Sequence, residues 1–139
     1  MRVSRISLKT IKKLNNNGEN YKNYPLSKLT TFRVGGLAKY FIKVCTIENF
    51  IKIMMYISSK NYPYYILGNG SNILVSDSGY NGVVLKFSGD LSRIEILDDD
   101  IVECGAGVTL SRLFKFACDN NLSGLEDGAG IPASIGGAV

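Results

Sequence analysis

The 139-residue sequence contains no histidine and no tryptophan, and it has only three cysteines and three prolines. Without histidine the chain cannot form a Ser-His or Cys-His nucleophile pair, and it has no imidazole general base. Cys45, Cys104 and Cys118 lie far apart in apolar surroundings. We therefore expect buried thiols in a reducing cytoplasm, and neither disulfides nor a zinc site.

Long apolar runs are missing as well. The longest candidate for a membrane segment, residues 50–58, is interrupted by Lys52. The N-terminus is basic but has neither an apolar stretch nor a small-residue cleavage site, so we expect no signal peptide, no membrane partner and a cytoplasmic location. No glycine-rich run ends in Gly-Lys-Ser/Thr, which excludes a Walker-type phosphate loop. A Rossmann fingerprint also fails, because Gly105-Ala106-Gly107 lacks the third glycine.

What is present indicates one modest globular domain, or a piece of a larger protein. Hydrophobic residues make up 45% and charged residues 20% of the chain, which suits a folded core. The net charge of +4 is uneven: residues 1–33 hold eight of the sixteen Lys/Arg and a single acid, Glu19. This basic leader lacks interleaved aromatic residues, so we expect a solvated segment, or one attracted to an anionic ligand, and no nucleic-acid partner.

The pattern of apolar residues predicts an alternation of strands and helices. Thr46 is a good N-cap for a helix that runs to Ser59, with Phe50, Ile53, Met54 and Ile57 on its core face. A second amphipathic helix is predicted over residues 109–120, and weak helical periodicity covers residues 1–18. Strands are predicted at residues 30–34, 39–44 (as the hairpin partner of 30–34), 64–67, 73–75, 83–87, 94–97 and 101–104, while residues 21–29 are predicted to be irregular. Asp98, Asp99 and Asp100 are then an exposed hairpin turn, which is commoner than a metal site in such a position.

Two glycine-rich stretches carry the functional signal. Gly68-Asn69-Gly70-Ser71-Asn72 lies between two short β-prone runs, and its glycines allow positive φ and a concave nest of N–H groups for an anion such as phosphate. Taken alone, it is more often an Asn-Gly hairpin turn. A second stretch over residues 128–137 favours the anion-binding alternative. Two such loops with almost no catalytic side chains indicate a binding platform.

The order and spacing of six motifs resemble those of the N-terminal half of the UDP-N-acetylenolpyruvoylglucosamine reductases, over residues 24–139. The motifs are Thr30-Thr31-Phe32-Arg33-Val34-Gly35-Gly36, residues 67–77 around the first glycine loop, Gly82-Val83-Val84, Gly105-Ala106-Gly107, Leu122-Ser123-Gly124-Leu125-Glu126, and Gly130-Ile131-Pro132 with Gly136-Gly137-Ala138. The resemblance implies an α+β fold with two small α/β subdomains. The fold that the resemblance implies is the FAD-binding domain of the vanillyl-alcohol oxidase/p-cresol methylhydroxylase type, which we expect to be incomplete at its C-terminus and preceded by a leader over residues 1–23.

The resemblance also implies a cofactor, a reductant and a substrate. FAD is expected to bind non-covalently, since there is no histidine and no cysteine in the glycine loops. NADPH is the reductant, and UDP-N-acetylglucosamine enolpyruvate is reduced to UDP-N-acetylmuramate for peptidoglycan. The pyrophosphate of FAD is expected to contact Gly68, Asn69, Gly70, Ser71, Asn72 and Ile73. The other side of the cofactor, near the ribityl chain and ring, is expected to contact Gly130, Ile131, Pro132, Ala133, Ser134, Gly136, Gly137 and Ala138.

One position departs from the family pattern. Ala133 occupies a position where the family usually has glycine; a positive φ there would cost on the order of 1 kcal/mol.

We expect no catalytic residue in this chain, because the family's catalytic serine, glutamate and arginine lie in later segments. We therefore expect a truncated or split gene product or an expressed fragment. A non-catalytic flavin- or nucleotide-binding module is an alternative. An FAD oxidase of the same superfamily is disfavoured by the motif at residues 30–36.

Overall fold

A computed structural model describes residues 6–98, 101–128 and 130–139. The elements in chain order are α1 (Leu8–Leu14), β1 (Glu19–Pro25), β2 (Leu37–Val44), α2 (Ile47–Ser59), β3 (Tyr64–Ile66), β4 (Tyr80–Phe87), β5 (Ile94–Asp98), β6 (Ile101–Cys104), α3 (Leu110–Asp119) and α4 (Ile135–Ala138). Short 3₁₀ turns lie at Leu26–Lys28, Gly89–Ser92 and Glu126–Gly128. None of the helices in the described ranges has the length and apolarity that a membrane crossing requires.

The main sheet has four strands in the order β1-β2-β4-β3. Strands β2, β4 and β3 are parallel, and β1 runs antiparallel to β2 with Glu19 opposite Lys43 and Pro25 opposite Leu37. The predicted hairpin between residues 30–34 and 39–44 is therefore wrong, because β1 takes the place beside β2. Strand β1 can have a polar sequence because it lies at the edge of the sheet. The aromatic rings of Tyr21 and Tyr24 pack on Phe41 of β2.

One face of this sheet is covered by helices α1 and α2. The buried side chains of this first core are Ile6, Ile11, Tyr40, Ile42, Val44, Ile53, Ile57, Tyr62, Val83 and Leu85. The predicted start and core face of α2 are confirmed: the Thr46 hydroxyl accepts a hydrogen bond from the Asn49 N–H at 3.2 Å, and Ile53 and Ile57 are fully buried. Helix α1 confirms the helical periodicity predicted within residues 1–18.

The basic leader is packed where the structure describes it, over residues 6–23. Ile6 and Ile11 belong to the first core, and the last leader residues lie in strand β1. The lysines of this part, Lys9, Lys12, Lys13 and Lys22, are exposed to solvent as expected. The apolar residues of the same segment, in contrast, pack against the sheet face under α2. The division into a leader over residues 1–23 and a domain over residues 24–139 stays a prediction; its boundary falls inside β1.

The chain after β4 forms a second, two-stranded sheet and helix α3. Strands β5 and β6 pair antiparallel, which confirms the predicted hairpin, although Asp99 and Asp100 of its turn lie outside the described residues. The Thr109 hydroxyl accepts a hydrogen bond from the Arg112 N–H at 3.3 Å and starts α3 as predicted. The expectation of buried thiols is wrong for Cys118, which is exposed, while Cys45 and Cys104 are partly buried.

Candidate functional site

The first glycine loop leaves the carboxyl end of β3 and returns over the second face of the sheet. This face has a second core made of Leu26, Ala38, Phe41, Leu67 and Val84. Ile73 and Val75 pack on it as irregular chain, so the predicted strand at residues 73–75 is wrong. Open α/β sheets bind ligands outside the carboxyl ends of their parallel strands, which is where this loop lies.

The backbone N–H groups of the loop are free of protein acceptors. The Leu67 N–H still donates to the Leu85 carbonyl at 2.8 Å, as a continuation of the sheet. After it, the six N–H groups from Gly68 to Ile73 donate to no acceptor within the part of the chain that the structure describes. Gly70 is buried and has a φ of +72°. A run of unused donors around a left-handed glycine is the arrangement that binds anions through backbone groups.

The loop is held in place by residues 30–36, the segment predicted as a strand. The Thr31 N–H donates to the Gly70 carbonyl at 2.9 Å, and the Gly36 N–H donates to the Ser76 carbonyl at 2.9 Å. A Cβ on Gly70 would lie 2.0 Å from the Leu29 carbonyl oxygen, so only glycine fits. The support therefore occupies loop carbonyls and leaves the N–H groups of residues 68–73 for a ligand.

The two glycine-rich stretches meet. The side-chain amide of Asn69 donates to the Pro132 carbonyl at 2.8 Å. A Cβ on Gly68 would lie 2.4 Å from the Ser134 hydroxyl oxygen, and Ser134 is only 4% exposed. The structure thus brings together residues more than sixty positions apart that the sequence assigned to one site.

In the second glycine-rich stretch, more of the backbone N–H groups donate hydrogen bonds to carbonyls of the protein itself. The Ile135 N–H donates to the Val108 carbonyl at 2.8 Å, and the Gly136 N–H donates to the Ala106 carbonyl at 2.9 Å. Ala133 has no positive φ, so the backbone strain that its replacement of glycine could have introduced does not arise.

The residues of this stretch that remain exposed are Gly130, Ile131, Pro132, Gly136, Gly137 and Ala138. In the first loop, Asn69 and Asn72 are exposed, and Gly68, Ser71 and Ile73 are partly buried.

A cavity of about 180 Å³ lies beside the first loop, between the sheet and residues 73–76. Its lining is mainly apolar and includes Leu26, Thr30, Tyr65, Tyr80 and Val84. Burial raises the pKa of the Tyr80 phenol, so this hydroxyl stays protonated at neutral pH. Sequence reasoning did not assign these residues to the site, because they lie on two strands, a 3₁₀ turn and a loop that only the tertiary fold brings together. The cavity is smaller than a typical pocket for a whole small molecule, so it can take only part of a ligand.

These features fit a phosphate-bearing ligand, and the comparison with known proteins identifies which kind. Residues 38–139 match the family described as "FAD binding domain". The chain belongs to this FAD-binding domain family. The α+β fold of the FAD-binding type predicted from the sequence is thereby confirmed. The loop fits the cofactor, because a pyrophosphate needs backbone donors and residues 68–73 leave theirs unused within the described residues.

Relatives of this FAD-binding domain are reductases. The UDP-N-acetylenolpyruvoylglucosamine reductase of Clostridium tetani is 44% identical over 122 residues, which cover 87% of this chain and 39% of that protein. The reductase of the same name from Chlamydia felis is 40% identical over 114 residues, or 82% of this chain and 38% of that protein. The crystal structure of the Thermus caldophilus reductase is 36% identical with a TM-score of 0.67, and the match covers 87% of this chain and 40% of that one. The chain thus spans about two-fifths of the length of these relatives and matches their N-terminal part, as the motifs predicted.

Proposed function

We propose that this FAD-binding domain holds the pyrophosphate of non-covalently bound FAD in an NADPH-dependent reductase. The enzyme reduces UDP-N-acetylglucosamine enolpyruvate to UDP-N-acetylmuramate in the cytoplasm, for peptidoglycan and thus for cell shape and division. The observation that carries the proposal is the run of six unused N–H donors from Gly68 to Ile73. The substrate is taken from the names of the reductases of which this chain matches about two-fifths. The reductant is the one that the resemblance of the sequence motifs implies.

Each part of the loop has a task in this proposal. Gly70 provides the left-handed turn and lets the loop pack closely on the Leu29 carbonyl, which sets the position of the neighbouring donors. Asn69 ties the loop to the second stretch through Pro132, and Ser71 and Asn72 add polar side chains to the backbone donors. When FAD is bound, it supplies the hydride-transfer chemistry, while the protein binds and orients it. Residues 130–138 are proposed to line the ribityl and ring side.

The test is a ¹H–¹⁵N NMR titration of the 139-residue chain with inorganic pyrophosphate, which isolates the proposed contact. The amide signals of residues 68–73 are expected to shift in a saturable manner. Gly70→Ala is expected to abolish the shifts, because its Cβ would meet a backbone carbonyl. Gly124→Ala is the matched control: Gly124 also has a positive φ, of +99°, but nothing lies within 4 Å of its added Cβ.

Saturable shifts in the wild type and in Gly124→Ala support the proposal. If the amides of residues 68–73 in the wild-type chain do not respond to millimolar pyrophosphate, the loop is not an anion site and the proposed function fails. The folding of each variant is checked from signals of the first core, such as those of Ile53 and Val83, which lie on the other face of the sheet.

A further inference from the structure

A row of charged residues crosses the sheet on the face that carries the glycine loop. Glu19 pairs with Lys43 across β1 and β2, and Lys43 pairs with Lys86 across β2 and β4. Side chains paired in this way project to the same face of a sheet. Phe41 and Val84, two residues earlier on β2 and β4, belong to the second core, so the row lies on the second face.

The row continues toward the loop. Ile66 of β3 pairs with Leu85, and the Leu67 N–H donates to the Leu85 carbonyl. Leu67 is thus the neighbour of Lys86 on the last strand, and the glycine loop begins at the next residue. Neighbouring strands are roughly 4.8 Å apart, a distance that the four-carbon stem of a lysine can span.

Among the described residues, only one of the two lysines in this row has an ion-pair partner. The Lys43 ammonium lies 2.9 Å from the Glu19 carboxylate, which neutralises it at the far edge of the sheet. Lys86 is partly buried and has no ion pair or hydrogen-bonding partner for its ammonium within the described residues. Burial, and secondarily the charge of Lys43, lower the pKa of the Lys86 ammonium. A partly buried cation without a partner is unfavourable unless an anion is bound beside it.

We propose that the Lys86 side chain is the cationic part of the anion site and contacts the phosphate groups of the ligand held by residues 68–73. This proposal rests on the proposed function, because it assigns the anion to the same loop. Residues 68–76 contain no Lys or Arg, so the loop itself supplies only dipoles to a ligand with two negative charges. A lysine one strand away, at the carboxyl ends of the same parallel strands, supplies the charge that the loop lacks.

The test uses the pyrophosphate titration with three variants. Lys86→Met keeps the apolar stem and removes the charge, whereas Lys86→Arg keeps the charge. Lys60→Met removes an exposed lysine that follows α2, on the other side of the sheet. We expect Lys86→Met to raise the Kd about tenfold, in keeping with the loss of one charge-assisted hydrogen bond. Lys86→Arg and Lys60→Met are expected to stay within about twofold of the wild type.

A second readout separates a direct contact from a change in folding. The dependence of log Kd on log salt concentration is expected to be shallower for Lys86→Met, because one cation fewer faces the anion. If the loop amides respond and Lys86→Met binds as tightly as the wild type, the role of Lys86 is refuted and the loop proposal stands. If the loop amides of the wild type do not respond, both proposals fail.

Discussion

The packing of the two glycine stretches against each other can be measured by one double-mutant cycle. Gly68→Ala places a methyl group 2.4 Å from the Ser134 hydroxyl oxygen and 3.5 Å from its Cβ. Gly68 has no positive φ, so alanine is compatible with its backbone and gains about 0.4–1 kcal/mol by restricting the unfolded chain. Ser134 is buried, and overpacking a buried site costs about 1–3 kcal/mol. The single variant is thus expected to be about 1–2 kcal/mol less stable than the wild type.

Removing the hydroxyl should restore the stability. Ser134→Ala leaves only the Cβ at 3.5 Å, an ordinary contact, beside the new methyl group. The Ser134 hydroxyl forms no hydrogen bond within the described residues, so this change alone should cost about 0.5 kcal/mol or less. The coupling energy of the pair then equals the overpacking cost, about 1–3 kcal/mol, because the gain from restricting the unfolded chain occurs in both variants that carry Gly68→Ala. This is well above the additivity limit for independent sites.

The assay is urea unfolding of the four proteins, followed by far-UV circular dichroism and by tyrosine fluorescence. The four slopes must agree for the free energies of unfolding to be compared. A coupling energy within about 0.3 kcal/mol of zero would refute the close contact between Gly68 and the Ser134 hydroxyl. Gly137→Ala with Ser134→Ala is a matched control cycle, because a Cβ on Gly137 would lie 3.3 Å from the same hydroxyl. Its coupling should therefore be smaller.

Three further predictions concern the chain as it stands. It is expected to bind FAD weakly and to purify without stoichiometric flavin, since it matches only two-fifths of its relatives; flavin absorbance of the purified protein checks this. It is expected not to oxidise NADPH in the presence of the enolpyruvyl substrate, measured at 340 nm, because it contains no assigned catalytic residue; turnover by the chain alone would contradict this. The Tyr21 hydroxyl and then the Lys43 ammonium lower the pKa of Glu19, so its contribution to stability is present above its unfolded pKa and disappears as the pH falls through its folded pKa. The small difference in Tm between wild type and Glu19→Gln should accordingly vanish in acid, and a difference that persists there would have another origin.

Local signals in the sequence were sufficient for much of the fold. Helices α2 and α3 were predicted from apolar residues at helical spacing, and the N-cap of α2 was predicted at Thr46. The hairpin of β5 and β6 was predicted from two apolar runs around a polar turn. In each case the element is specified by residues within about fifteen positions of one another, so tertiary contacts do not override the local pattern.

Pairing across long distances was not predicted. Strand β1 is polar in sequence, and only its place at the edge of the sheet, with Tyr21 and Tyr24 on Phe41, explains why it forms. The residues of the site were identified by composition and family pattern, but nothing local specified that Asn69 would bond to Pro132 or that Lys86 would lie beside the loop. The position of Lys86 next to Leu67 follows from the strand order, which places β4 between β2 and β3. The bond from Asn69 to Pro132 joins two loops that are more than sixty residues apart.

The segment at residues 30–36 has the composition of a strand, but it forms turns that hydrogen-bond to the glycine loop. Two threonines, a phenylalanine and a valine predict a strand, yet Arg33 has a φ of +55° and Gly35 a φ of +113°, which no regular strand accommodates. These left-handed residues turn the chain, and the Thr31 and Gly36 N–H groups donate to carbonyls of residues 70 and 76, not to a neighbouring strand. A left-handed arginine is costly, and such strain persists only where the surrounding structure imposes it. Here it positions two donors on the carbonyls of Gly70 and Ser76, so the loop is held through its carbonyls and, within the described residues, the N–H groups of residues 68–73 remain unused.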